Sequence, residues 1–125
     1  MFERLEIFRL SGAMANHASR RQTVAAANVA QADTPGYRAR AVESFARVHA
    51  PDGFALRATR PGHLAGAPRG EARILIADKP ASPDGNTVSI ETEMADAARA
   101  SSDHDRALAI YRNGLAVLRA GIGRR

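Results

Sequence analysis

All six prolines (Pro35, Pro51, Pro61, Pro68, Pro80 and Pro83) fall between residues 35 and 83, and the flanks have none. Proline lacks a backbone donor, and its ring clashes with the preceding helical turn, so it interrupts helix interiors. A chain of 125 residues has room for one domain. The proline distribution divides it into an N-terminal helical segment over 1–34, a Pro/Gly-rich middle over 35–85 and a C-terminal helical segment over 86–125. The two terminal segments are expected to form one helical domain together.

The N-terminal helix is expected from about Phe2 to Ala32. Ile7, Leu10, Met14, Ala25 and Val29 follow helical spacing and form its apolar stripe, continued by Ala18 and Ala32. The stretch Val24 to Ala30 is rich in alanine, which favours helix and lets a neighbouring helix approach closely. Its stop is Asp33-Thr34-Pro35-Gly36. Thr34 precedes proline and is pushed out of the helical region, and Pro35-Gly36 suits the two central positions of a type II turn.

The C-terminal helix has the clearer pattern. Met94, Ser101, Leu108, Leu115 and Ile122 stand seven apart, and so do Ala97, His104, Tyr111 and Leu118, offset by three. This is an a/d heptad seam, the pattern of coiled-coil packing, softened in the middle by Ser101 and His104. Ser89 suits the N-cap, Glu91 and Glu93 the first turn, and Arg119, Arg124 and Arg125 the far end of the helix dipole. Gly121 and Gly123 are placed to end the helix. The fold expected is mainly α, with long N- and C-terminal helices packed as an antiparallel coiled-coil-like pair. In the middle, two alternating runs, Phe54–Thr59 and Ala72–Ala77, are either strands of one short β-hairpin or loop.

The side chains that carry chemistry are dispersed. His17, His49, His63 and His104 include no pair at i,i+3 or i,i+4, there is no cysteine, and neither a G-x-S-x-G elbow nor a phosphate-loop pattern occurs. The residues point to no catalytic, cofactor-binding or metal site, and to a chain that is not an enzyme. Much of the 45% hydrophobic content is alanine, with four Phe, two Tyr and no Trp. Alanine buries little area, so part of the stability is expected to come from partners. No run approaches the roughly 20 apolar residues of a membrane span, and the charged N-terminus does not read as a secretory signal. Export, if it occurs, would need another route.

The net charge of +5 raises the alternative of a small basic helical nucleic-acid-binding protein. The arginines are spread from Arg4 to Arg125 among thirteen acids, with no aromatic-and-basic stacking patch. That pattern speaks against nucleic acid as a partner.

The stretch Ala27-Asn28-Val29-Ala30-Gln31-Ala32-Asp33-Thr34-Pro35-Gly36-Tyr37 resembles the signature of the flagellar rod and hook proteins: an Asn near a helix end, small residues, then D-T-P-G-Y. Arg38-Ala39-Arg40 with Phe45, Thr59-Arg60-Pro61-Gly62-His63-Leu64, and Asp84-Gly85-Asn86-Thr87-Val88 followed by Glu93-Met94 are similar to elements of the FlgB-type proximal-rod branch. Gln31 stands where that family usually has a second Asn, and His104 near where it often has Tyr. The resemblance implies a signature turn built on Asn28, Asp33, Thr34, Pro35, Gly36 and Tyr37. It implies a non-enzymatic subunit of the proximal rod, exported by the flagellar type III apparatus to the periplasmic basal body, where it transmits torque for motility. The partners it implies are copies of the same chain, other rod proteins, the small adaptor protein FliE, and the export apparatus and inner-membrane ring.

Overall fold

The structure, a computed structural model, describes residues 2–49 and 72–123. Two long helices dominate: α1 (Phe2–Ala30) and α3 (Ile90–Ile122). Between them lie β1 (Arg40–Val42), a single helical turn α2 (Phe45–Val48) and β2 (Ile74–Ile76).

Helix α1 stops where the sequence predicts. Gln31 and Ala32 donate to the carbonyls of Asn28 and Val29, tightening the last turn. The chain then reverses through Thr34–Tyr37, closed by the Tyr37 amide on the Thr34 carbonyl at 3.2 Å. Gly36 has φ +71°, the left-handed value a type II turn needs at that position. Helix α3 starts at Ser89, which sits at the N-cap but makes no side-chain capping bond. Its last turn carries Arg119, and Gly123 caps it.

The two helices run antiparallel. Phe8 packs edge-on against Tyr111 at 5.1 Å, His104 Nδ1 lies 3.2 Å from the Ala15 carbonyl, Arg21 pairs with Asp103 at 2.8 Å, and Asn28 donates to Glu93. What meets at the centre is small. In α1 the buried row is Ser11, Ala18 and Ala25, seven apart; in α3 it is Glu93, Ala100 and Ala107, also seven apart. Gly114 continues that row, and a Cβ there would lie 3.0 Å from the Phe8 ring. Ser11 satisfies its hydroxyl on the Phe8 carbonyl.

This corrects the expected pairing. The seam of Met94, Ala97, Leu108, Tyr111, Leu115, Leu118 and Ile122 does not form the centre of the helix pair. Met94 is 63% exposed and Ile122 78%, Tyr111 is exposed beside Phe8, and Ala97, Leu108, Leu115 and Leu118 are half-buried along the flank. On α1, Ala25 is buried and Met14 half-buried, whereas Ile7, Leu10 and Val29 are exposed. The reason is size: the closest approach of two helices goes to positions without bulky side chains, and the larger residues are displaced to the sides.

The middle segment holds a small two-stranded antiparallel sheet. β2 pairs antiparallel with β1, in the register Arg40↔Ile76, Ala41↔Leu75 and Val42↔Ile74. The Phe54–Thr59 run, expected as its hairpin partner, lies outside the described residues. Flanking bonds from Ala77 to the Ala39 carbonyl and from Glu43 to the Arg73 carbonyl, both 2.8 Å, extend the ladder.

Candidate functional site

The residues of the signature turn converge with a second turn from the start of the C-terminal segment. Asn28 is fully buried. Its amide nitrogen donates to the Arg40 carbonyl at 2.8 Å and to Glu93 Oε2 at 2.9 Å. Its amide oxygen accepts from the Arg40 amide at 3.0 Å and from the Tyr37 hydroxyl at 3.3 Å. One side-chain amide thus pairs with both polar groups of Arg40, as a neighbouring strand would, and covers the α1-facing edge of β1. Glu93, 3% exposed, spends its other oxygen on Lys79 Nζ at 2.6 Å. A buried carboxylate without partners would be costly; here it holds an amide and an ammonium.

Asn86 does the same for the end of α1. Its amide nitrogen lies 3.0, 2.7 and 2.9 Å from the carbonyls of Gln31, Ala32 and Thr34 just past the end of α1; the Gln31 and Thr34 carbonyls also accept from the Thr34 and Tyr37 amides. Its amide oxygen accepts from Val88, and Asp84 accepts from the Asn86 amide. Gly85, φ +82°, packs against Gly36: a Cβ on Gly85 would lie 3.4 Å from the Gly36 Cα. Gly36 donates to Asp84, Thr87 donates to Tyr37, and the Thr87 hydroxyl accepts from Ala39 at 2.7 Å. The Asp33–Tyr37 and Asp84–Thr87 turns are therefore one latch that fixes how the chain leaves α1 and enters α3.

Of the signature residues, Asn28, Gly36 and Tyr37 form this latch directly. Thr34 contributes its carbonyl, and its hydroxyl bonds Gln31 at 2.7 Å. Asp33 and Pro35 are exposed. Glu93, Lys79, Asn86 and Thr87 complete the latch. Asn86 and Glu93 stood in the motif elements, but nothing in their spacing disclosed a pairing with Asn28 or with the α1 carbonyls.

A second cluster draws on α1, α2, α3 and the end of β1. A recess of about 380 Å³ is lined by Met14, His17, Arg21, Val42, Phe45 and Asp103, among others. Its polar groups are engaged: His17 Nε2 donates to the Glu43 carbonyl at 2.7 Å, and Arg21 pairs with Asp103. His17 and Phe45 meet edge-on, and Phe45 stacks on His49 at 4.1 Å. Among the described residues, no three His, Cys, Asp or Glu side chains converge as metal ligands would.

The remaining feature is apolar and partly exposed. Met94, Ser101, Leu108, Leu115 and Ile122 form a row along one flank of α3, half-buried at the centre and exposed at both ends. Their regular spacing makes this a continuous stripe of helix surface rather than scattered exposure. Among the described residues, no helix is long and apolar enough to cross a membrane. The chain matches no protein-family model, and no curated protein matches it.

Proposed function

We propose that this chain is a non-enzymatic structural subunit of the proximal rod of the bacterial flagellar basal body. The observation that carries the proposal is the heptad row on α3. The helix pair closes on small residues, and the row of Met94, Ser101, Leu108, Leu115 and Ile122 is left on its flank. A seven-residue apolar spacing is the form a helix takes to receive another helix. The latch supports the same reading, because the residues that resemble the rod-protein signature hold the two helix ends in one fixed geometry.

A drive shaft needs many stiff helix contacts repeated around an axis and no chemistry. Head-to-tail contacts that do not close on themselves build such a filament. In this proposal the α1–α3 pair is the rigid unit, and the partly exposed row meets copies of the chain and other rod proteins. FliE and the inner-membrane ring lie at the base, and the flagellar type III apparatus delivers the chain to the periplasm.

Met94→Asp and Ile122→Asp test this reading. Both side chains are largely exposed, so each variant keeps the helix pair and its circular dichroism. Each is expected to lose swimming motility, because it places an unpaired charge in a contact between subunits. Wild-type motility in the double variant contradicts the proposal.

A further inference from the structure

Asp105 and Arg112 stand near the middle of α3, and both are exposed. They belong to a row, Glu91, Ala98, Asp105, Arg112 and Arg119, that is seven apart like the apolar one. The helix dipole accounts for Glu91 and Arg119 in the terminal turns, but its influence does not reach the middle. Three and four residues from Asp105 stand Ser101, Ser102, Leu108 and Ala109; from Arg112 they are Leu108, Ala109, Leu115 and Ala116. Neither charge therefore has an opposite charge within reach along the helix. The two lie about 10.5 Å apart, and among the described residues neither forms an ion pair. Both border the apolar row on the side away from α1, since His104 and Tyr111 on its other side meet α1.

We propose that α3 packs along the apolar row against α3 of a second copy running the opposite way, about a two-fold axis at the level of Leu108. Direction follows from where the charges sit. They lie to one side of the row. In a parallel helix pair that side faces the opposite side of the copy, whereas in an antiparallel pair it faces the same side. The antiparallel pair thus brings Asp105 and Arg112 of one copy to Arg112 and Asp105 of the other.

Register follows from two separate patterns. About Leu108 the apolar row is matched from end to end: Leu108 on Leu108, Ser101 on Leu115, Met94 on Ile122. The same axis sets Asp105 level with Arg112 twice and Ala98 level with Arg119, with no like charges opposed. Sliding the copy by one heptad sets Asp105 against Asp105 and leaves Ile122 with no residue of α3 opposite. Sliding it one heptad the other way sets Arg112 against Arg112 and leaves Met94 with none. A slide of two heptads pairs Glu91 with Arg112 but strips both Leu115 and Ile122 of their partners, which buries less apolar surface. Two heptads the other way sets Arg112 against Arg119. A matched apolar row beside complementary charges is what specifies one helix pair over its alternatives.

The contact runs about 42 Å, from Met94 to Ile122. It is isologous, so it closes and does not propagate. It covers the same row that the rod reading gives to neighbouring subunits, so a chain in this dimer is held out of that contact. The dimer forms whether or not the chain is a rod subunit.

Sedimentation equilibrium of the purified full-length chain tests this. The wild type is expected as a dimer of twice the 13.3 kDa chain that dissociates on dilution. Asp105→Arg and Arg112→Asp are each expected to raise the dissociation constant at least about tenfold. Both side chains are exposed, so the circular dichroism of each variant stays that of the parent. An equimolar mixture of the two variants is expected to pair as the wild type does, because each supplies the charge the other lacks. Glu91→Arg, whose position has no residue of α3 opposite in this register, is expected to leave the constant within about twofold. A wild-type chain that stays monomeric up to about 1 mM overturns the proposal. So does a mixture that pairs no more tightly than its components, or a Glu91→Arg effect as large as that of Asp105→Arg. None of these readings involves motility, so the rod reading stands or falls separately.

Discussion

Replacing Asn28 with alanine is expected to destabilise the helix pair more than any single alanine substitution on its surface. The side chain makes two bonds to Arg40, at 2.8 and 3.0 Å, and one to the Glu93 carboxylate at 2.9 Å. It also accepts a longer bond of 3.3 Å from Tyr37. Neutral bonds contribute about 1 kcal/mol each, and a bond to a charged group contributes about 2 kcal/mol. With little from the Tyr37 bond, the total is about 4 kcal/mol. Asn28 is fully buried, so solvent does not readily replace what is lost. Folded domains are stable by only about 5–15 kcal/mol, which makes this a large fraction of the whole. The assay is urea unfolding of the purified chain followed by far-UV circular dichroism, with the difference read from midpoints at constant slope. Tyr37→Phe, which removes only the longest bond, should cost about 1 kcal/mol or less. If Asn28→Ala unfolds within about 1 kcal/mol of the parent, the latch does not hold the helices as described.

Two further substitutions probe other parts of the framework. Ala107→Leu forces a large side chain into the closest approach of α1 and α3 and should cost about 2 kcal/mol or more by urea unfolding, whereas Ala109→Leu on the exposed face should change stability by less than about 0.5 kcal/mol. Asn86→Ala removes the side-chain amide that lies against the carbonyls of Gln31, Ala32 and Thr34, and amide hydrogen exchange should show faster exchange at residues 28–37 with the middle of α1 unchanged.

The helices and the turn between them were legible because proline and glycine act locally. Pro35 excludes helix and Gly36 supplies the positive φ, and neither effect depends on anything distant. The heptad spacing of α3 was legible too: His104 and Tyr111 of it meet α1, while Met94 and Ile122 are left exposed. Large apolar side chains mark a seam strongly in sequence; Ala18 and Ala25 were legible in the α1 stripe, whereas Ala100 and Ala107 are lost among the other alanines of α3. The closest helix contact, however, belongs to those small residues. The apolar row was real, and the structure leaves it on the flank.

The partner of β2 was not legible, since a hairpin with the nearest alternating run is the simplest local choice. β1 is held in place by a side chain 12 residues upstream of Arg40, the Asn28 amide, which no period or propensity announces. The same holds for Glu93. Its position in the first turn of α3 suggested a charge serving the helix dipole, but it turns inward to Asn28 and Lys79. Long-range polar pairing is specified by geometry that only the folded chain supplies, so the latch residues were visible as motif letters without their partners.

The central claim is that this chain is a rod subunit whose α1–α3 pair is the unit of assembly. An electron cryo-microscopy map of flagellar basal bodies from cells that make this chain tests it most directly. The account predicts paired antiparallel helices in the proximal rod, with side-chain density matching α1 and α3 and the Met94–Ile122 row buried against a neighbouring subunit. A proximal rod whose density is fully occupied by other chains, with no place for this helix pair, would contradict it.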